Sequence, residues 1–233
     1  MNTAGQLIIF MGPPGSGKGS LSHLCIRQLG WQQISTGNLC RQHIREKSPL
    51  GLQIDFAIKS GKLIQDEVIT EMVADWLFNN LNTSSSWIIL DGFPRTVNQA
   101  QSLDTLLKDA RFDGWNLNIV HMQASDEAVL KRLQGRVICA NGDCQAVYSL
   151  VDQQLAPKDG DSCTHCFKPL SRRSDDKEVA VILDRLQQYH QHEQALLDYF
   201  EQTGKRPIEL FVEKPLEDVF HAFMHIIGIN KAS

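Results

Sequence analysis

No stretch of this 233-residue chain comes near the roughly 20 consecutive apolar residues of a membrane-spanning helix. Basic residues are not in excess either: 23 Lys and Arg stand against 27 Asp and Glu, a formal charge of −4. The chain as a whole therefore offers no positive field for duplex nucleic acid, and a site for anions has to gather its cations in one cleft. The opening MNTAGQLIIFMG lacks the basic start and long apolar run of a secretory leader and is expected to lead into a strand. Cytoplasmic residence is then the default expectation, with cysteines free or metal-bound rather than paired. Internal repeats and low-complexity tracts are missing as well. What is there is ordinary: 42% hydrophobic and 21% charged residues, in a length that suits one large domain or a core with small insertions.

Short apolar runs alternate with amphipathic helical stretches, the pattern of an α/β fold with a parallel sheet covered by helices. Strands are expected at Gln6–Met11, Trp87–Leu90, Asn116–Met122 and Pro207–Val212, with a short fifth near Gln33–Ser35. Helices are expected after the first strand, through about Gly30, and from about Pro215 to Ile227. Two stretches break the rhythm. Thr36–Gln65 reads as helical and strandless, interrupted at Ser48-Pro49 and Ser60-Gly61. Gly135–Asp176 holds four of the six cysteines, several turn signals and β-prone pieces such as Ala146-Val147-Tyr148. Both read as insertions into one core.

The loop after the first strand is Gly12-Pro13-Pro14-Gly15-Ser16-Gly17-Lys18-Gly19-Ser20. Its G-x-x-x-x-G-K spacing is that of a P-loop. Glycines let backbone N–H groups turn inward around phosphate oxygens, and the following helix offers its positive N-terminus. Lys18 adds a compact charge for the β- and γ-phosphates. A bare match can be a turn that binds nothing, but a strand before and a helix after are the context that phosphate binding requires. The general pattern has a hydroxyl directly after the lysine; here Gly19 intervenes and the hydroxyl comes at Ser20.

The Trp87–Leu90 strand runs into Asp91-Gly92-Phe93-Pro94-Arg95. A carboxylate at that end suits a hydrated Mg²⁺, which keeps most of its water shell, and the fork of Arg95 suits phosphate. Alone, such a sequence is usually a turn; beside a P-loop, the magnesium reading is favoured.

In order and spacing, GPPGSGKGS, ISTGNLCR (Ile34–Arg41), GKLIQDE (Gly61–Glu67) and DGFPRTVNQA (Asp91–Ala100) resemble the successive motifs of adenylate kinases. The resemblance runs from about residue 6 over nearly the whole chain and is of the bacterial, long-lid type. It implies a P-loop core with a five-stranded parallel sheet flanked by helices (1–34, 65–134 and 177–233). A helical AMP-binding insertion (35–64) and a β-rich lid (135–176) interrupt that core. Gly15, Ser16, Gly17, Lys18, Gly19 and Ser20 would hold ATP phosphates, with Gly19 the residue this family expects after the lysine. Thr36, Arg41, Lys62, Leu63, Ile64, Gly92, Phe93, Pro94, Arg95 and Gln99 fall where the family binds AMP. Gln99 suits the adenine edge because its amide donates and accepts at once. Asn38 replaces the usual Asp, at little expected cost since both are cap-type residues.

By the same resemblance, Arg132 lies against the ATP adenine and Arg136 reaches its phosphates, with Val137 where a further arginine is common. Val147 and Tyr148 match lid positions near the ribose and base, and Lys214 the C-terminal loop that meets the ATP adenine. Arg173 and Arg185 match clamping arginines near both nucleotides; Arg185 comes one residue late, implying a local bulge or a shifted helix start. Lys18, Arg95, Arg136, Arg173 and Arg185 would then surround the transferred phosphoryl group, a reaction that asks for alignment and neutralisation of charge.

Cys139-x4-Cys144 and Cys163-x2-Cys166 can present four thiolates to a structural Zn²⁺, as in the lids of some members of that family. The first knuckle is two residues longer than usual, with Asn141-Gly142 as a turn signal, and His165 is a weaker substitute ligand. Reduced, unligated cysteines are the alternative. The activity implied is ATP + AMP ⇌ 2 ADP with Mg²⁺, serving nucleotide homeostasis and purine salvage in a cytoplasmic monomer. A kinase for another monophosphate, a GTP-dependent one, or a non-catalytic nucleotide binder are the competing readings.

Overall fold

The computed structural model describes residues 5–59, 64–81, 86–141, 144, 146–158 and 160–229. Eight strands are present among them: β1 (Gln6–Met11), β2 (Gln32–Ser35), β3 (Trp87–Asp91), β4 (Asn116–Gln123), β5 (Arg136–Cys139), β6 (Val147–Ser149), β7 (Leu170–Ser171) and β8 (Ile208–Phe211). The helices are α1 (Lys18–Leu29), α2 (Thr36–Glu46), α3 (Pro49–Lys59), α4 (Asp66–Asn80), α5 (Val97–Leu106), α6 (Asp126–Gly135), α7 (Val179–Gln202) and α8 (Leu216–Ile226).

Five strands form one sheet in the order β2-β3-β1-β4-β8. The register is parallel where β3 meets its neighbours: Ile8 pairs with Ile89, and Ile34 with Leu90. Both faces of such a sheet are covered, so its strands are continuous apolar runs rather than alternating ones. Accordingly Leu7, Ile8, Ile9, Ile88, Ile89 and Leu90 have no exposed surface. Each side chain of this size contributes about 1.5–3 kcal/mol on burial. In open sheets of this kind, ligands bind beyond the carboxyl ends of the strands. The carboxyl end of β3 carries Asp91 and the Gly92 turn.

The expected strands are all present, with ends shifted by a residue or two. β3 takes in Asp91 and β4 reaches Gln123, while the last helix is Leu216–Ile226. The described residues of 36–65 contain no strand. Asn38 sits in the first turn of α2, whose N-cap is Ser35.

The chain divides into two compact units. The first comprises Met1–Met11, Leu24–Val120 and His192–Ile208; its core gathers Leu7, Ile9, Val73, Leu90, Phe93 and Phe200. Trp31 and Trp87 stack in it, ring centroids 4.5 Å apart. The second comprises Gly12–His23, His121–Gln191 and Glu209–Ser233. It holds a small antiparallel sheet, order β6-β5-β7, over Val137, Cys139, Ala146, Tyr148 and Cys163. Another of its clusters, Val129, Leu133, Ile182 and Leu186, packs α6 against α7.

Candidate functional site

In the second unit the glycine loop closes on its own lysine. Lys18 Nζ donates to Gly12 O at 2.7 Å, to Pro13 O at 2.8 Å and to Ser16 Oγ at 3.3 Å. The ammonium is thus held inside the curve of the loop at the first turn of α1. Gly15 has φ +89, and a Cβ there would come within 2.8 Å of Leu133 Cγ, so both backbone and space demand glycine. Ser16 is fully buried, while Gly17, Gly19 and Ser20 are half-buried around the helix start.

Arg132, on α6, ties three segments together. Its Nη1 donates to Ser16 O at 3.5 Å and its Nη2 to Val212 O at 2.5 Å. The exposed Lys214 follows two residues after that carbonyl. Beside it, Glu213 Oε1 accepts from the Ser125 backbone N–H at 2.6 Å, a bond that holds the Glu213 carboxyl below its ordinary range.

Three arginines converge on one turn. Arg136 Nε and Nη2 donate to the two carboxylate oxygens of Asp176 at 2.7 and 2.8 Å. Arg185 Nη1 donates to Asp176 Oδ1 and to the Asp175 carbonyl, both at 2.9 Å. Arg173 immediately precedes the 3₁₀ turn Ser174–Asp176. Burial would raise the Asp175 carboxyl, but the charges of Arg185, Arg136 and Arg173 outweigh it and hold it low. Helix α7 runs unbroken from Val179 to Gln202, so the late position of Arg185 is met without a bulge. Asp175 and Asp176 carry no mark in the sequence beyond their place in RRSDD; only the fold shows that they order the arginines.

The four-cysteine cluster belongs to the same unit. The four sulfurs of Cys139, Cys144, Cys163 and Cys166 all lie within 4.8 Å of one another. Cys139 Sγ and Cys166 Sγ are 3.3 Å apart, and Cys144 Sγ and Cys163 Sγ 3.6 Å. A tetrahedral site with metal–sulfur bonds of about 2.3 Å has edges of about 3.8 Å, so the set is sized for one metal ion. Burial would raise Cys163, but Tyr148 Oη and the backbone N–H groups of His165 and Cys166 hold it down at about 6. Cys139 is pushed up to about 12, chiefly by burial. One thiolate is thus prepared while a neighbour resists ionisation, a balance that a divalent cation would tip toward full deprotonation. Among the described residues the group consists of the four cysteines, without His165. Gly142, half of the expected turn, lies outside the described residues.

Val147 is half-buried, but Tyr148 is buried, and its hydroxyl turns into this cluster, 3.2 Å from Cys163 Sγ and 2.8 Å from Thr164 Oγ1. A phenol that reaches a thiolate fifteen residues away has no signature in local sequence.

The first unit holds Thr36, Arg41, Gly92–Arg95 and Gln99, residues that the resemblance suggests for the acceptor nucleotide. Gly92 has φ +81, and a Cβ would meet Arg95 Nη2 at 2.8 Å and Thr36 Oγ1 at 2.9 Å. Its carbonyl accepts from Thr36 Oγ1 and from Arg95 Nε, both at 2.9 Å, so one turn positions both side chains. Phe93 and Pro94 are buried and joined by a cis peptide bond. Arg41 donates through Nη2 to Asn38 Oδ1, a neutral acceptor that leaves the guanidinium charge uncompensated by that contact. Asp91 Oδ2 accepts from Gln33 Nε2 at 3.0 Å, leaving acceptor capacity for a hydrated cation. Gln99 is 5% exposed and bonded at both ends of its amide, to Asp66 and to the Arg95 backbone. Ile64 is half-buried beside the same core; Lys62 and Leu63 lie outside the described residues.

A sequence model of the family described as adenylate kinase matches residues 10–205. A protein named adenylate kinase from Chlamydia muridarum (strain MoPn / Nigg) is 38% identical over 231 residues, covering 94% of this chain and 86% of its own length. One of the same name from Hydrogenobaculum sp. (strain Y04AAS1) is 35% identical, over 86% of this chain and 90% of its own. The adenylate kinase of Borrelia turicatae (strain 91E135) is 33% identical, over 95% and 98%.

Proposed function

The chain belongs to the adenylate kinase family, and we propose that it transfers the terminal phosphoryl group of MgATP to AMP, giving two ADP. The observation that carries this reading is the convergence of Arg136, Arg173 and Arg185 on one acidic turn, in the unit that also holds the Lys18 loop. A protein that only bound nucleotide would have little need of so many phosphate-directed cations.

An oxygen of the AMP phosphate forms the new bond to the γ-phosphorus of ATP, and the bond to the β-bridging oxygen breaks as ADP leaves. The attacking oxygen is already anionic, so no general base is called for. Lys18, Arg95, Arg136, Arg173 and Arg185 align the phosphates and neutralise the charge that spreads over the transferred group. Asp91 would hold a hydrated Mg²⁺ through water, and the ion would supply neutralisation of the phosphate charge.

Donor contacts are assigned to Gly15–Ser20, Arg132, Arg136, Val147, Tyr148 and Lys214. Acceptor contacts fall to Thr36, Arg41, Lys62–Ile64, Gly92–Arg95 and Gln99, with Arg173 and Arg185 serving the phosphates. For Tyr148 the contact would come from backbone or ring, since its hydroxyl is engaged in the cysteine cluster. No helix among the described residues is long and apolar enough to cross a membrane. We read the protein as a cytoplasmic monomer, since the compartment that holds ATP and AMP keeps thiols reduced and one chain supplies every residue assigned above.

Turnover with ATP plus AMP, CMP, UMP or GMP in turn tests the reaction. Activity with AMP and background rates with the others are expected. No turnover with any acceptor would overturn the reading in favour of a binder, and preference for another acceptor would reassign the substrate.

The lid cysteines are read as a structural Zn²⁺ site that stiffens the small sheet without joining the chemistry. Protein purified under reducing conditions is expected to carry about one zinc per chain by native mass spectrometry and elemental analysis. Acidification should release it, because protons compete for the thiolates. Cys163→Ser should lose the metal and lower the thermal midpoint. A metal-free preparation with the parent's midpoint would sink the assignment.

A further inference from the structure

Gln99 sits in a closed ring of hydrogen bonds within the first unit. Its Oε1 accepts from the Arg95 backbone N–H at 2.8 Å, and its Nε2 donates to Asp66 Oδ1 at 2.7 Å. The other carboxylate oxygen, Asp66 Oδ2, accepts from Thr96 Oγ1 at 2.7 Å. Thr96 Oγ1 in turn accepts from the Gln99 backbone N–H at 3.2 Å, as the N-cap of α5. Asp66 is the first residue of α4, where the helix dipole favours its negative charge.

An amide side chain can ordinarily turn over and exchange its oxygen and nitrogen. Here two neighbours forbid it. A backbone N–H only donates, so it must face Oε1; a carboxylate oxygen only accepts, so it must face Nε2. Reversal would set donor against donor at Arg95 and acceptor against acceptor at Asp66, depriving the buried Gln99 amide of both bonds. One N–H and one lone pair of the amide remain uncommitted by these two bonds, with oxygen and nitrogen in fixed places. Adenine offers a donor at N6 beside an acceptor at N1, whereas guanine and hypoxanthine present the opposite order, an acceptor at O6 beside a donor at N1. An amide of pinned polarity suits one order, and the reversed amide suits the other.

We propose that Asp66 is the positioning residue that makes the acceptor site select a 6-amino over a 6-oxo purine, by fixing the polarity of Gln99. This rests on the reading of AMP as acceptor with Gln99 at its base. The Arg95 N–H acts in the same sense, but it is a backbone group with a neutral bond. The charge-assisted bond from Gln99 to Asp66 is the stronger of the two.

The test compares the parent with Asp66→Ala and Asp66→Asn, using AMP, IMP and GMP as acceptors at saturating MgATP. In Asp66→Ala the AMP-over-IMP ratio of kcat/KM is expected to narrow by about tenfold or more, carried by a higher KM for AMP. The KM for ATP should stay within about twofold of the parent, the acceptor effect being confined to base recognition. Asp66→Asn should fall between, because its Oδ1 still accepts from Gln99 without the charge. If Asp66→Ala does not fold, the Asn variant decides by the same ratio. An unchanged AMP-over-IMP ratio with a raised KM for AMP would overturn the inference and leave Asp66 a structural anchor. Equal rises in both KM values would do the same. Failure of the acceptor assignment itself would show already in the parent, as absent or misdirected turnover.

Discussion

Lys18→Ala is expected to lower kcat for ATP and AMP by about 10²–10³-fold, the cost of removing one preorganised donor from a transferring phosphate. The lysine's three nitrogen–hydrogen bonds are arrayed over Gly12 O, Pro13 O and Ser16 Oγ, so the charge stands at a defined point in the loop before any phosphate arrives. That preorganisation makes the charge worth more in the transition state than a flexible surface lysine would be. The stability cost should be smaller, under about 2 kcal/mol, because the space vacated by the lysine stem admits water to the loop carbonyls. Lys18→Arg should recover little of the rate: a planar fork cannot occupy the place of a compact ammonium. Steady-state kinetics on protein shown to be folded, beside a urea titration, separates the two quantities. A kcat within about tenfold of the parent would remove Lys18 from the chemistry, since a single lost donor costs more than that.

The legible parts of this molecule are those whose cause is local. Ile88-Ile89-Leu90 reads as a strand because a parallel sheet buries both of its faces, and GPPGSGK reads as a phosphate loop because its backbone has to turn inward. The paired cysteines announce their chemistry by type and spacing. What stayed hidden depends on residues far apart in the chain. Asp66 lies 33 positions from Gln99, and in sequence it looks like an ordinary acidic residue opening a helix. Asp176 lies 40 positions from Arg136 and is one of two adjacent acids after a pair of arginines. The motif suggests Tyr148 beside the nucleotide, and the fold adds that its hydroxyl reaches the cysteine cluster, since β6 pairs antiparallel with β5, which ends at Cys139. Local sequence points to the groups that would touch substrate, and the fold is needed to find the groups that hold them in place.

The second large effect is expected at one of those holding groups. Asp176→Ala should destabilise the protein by about 3 kcal/mol, because it strips a buried carboxylate from two guanidinium groups. The Asp176 side chain is 0% exposed, while those of Arg136 and Arg185 are 15% and 25% exposed, so water compensates the arginines poorly. The losses are unequal. Arg185 keeps Asp175 Oδ2 at 3.1 Å, whereas Arg136 loses both of its carboxylate bonds. Asp176→Asn should rescue only in part, since its NH₂ would face an N–H of one of the arginines. The structural and functional effects then part company in one experiment. If the arginines serve ATP phosphates, the polyphosphate returns the negative charge that the variant has lost. ATP should therefore bind Asp176→Ala more tightly than the parent, and by mass action raise its thermal midpoint by more at the same ATP concentration. Adenosine, which carries no phosphate, should not discriminate between the two proteins. Equal ATP-induced shifts in parent and variant would show that the three arginines are held for the fold and that the phosphates are met elsewhere.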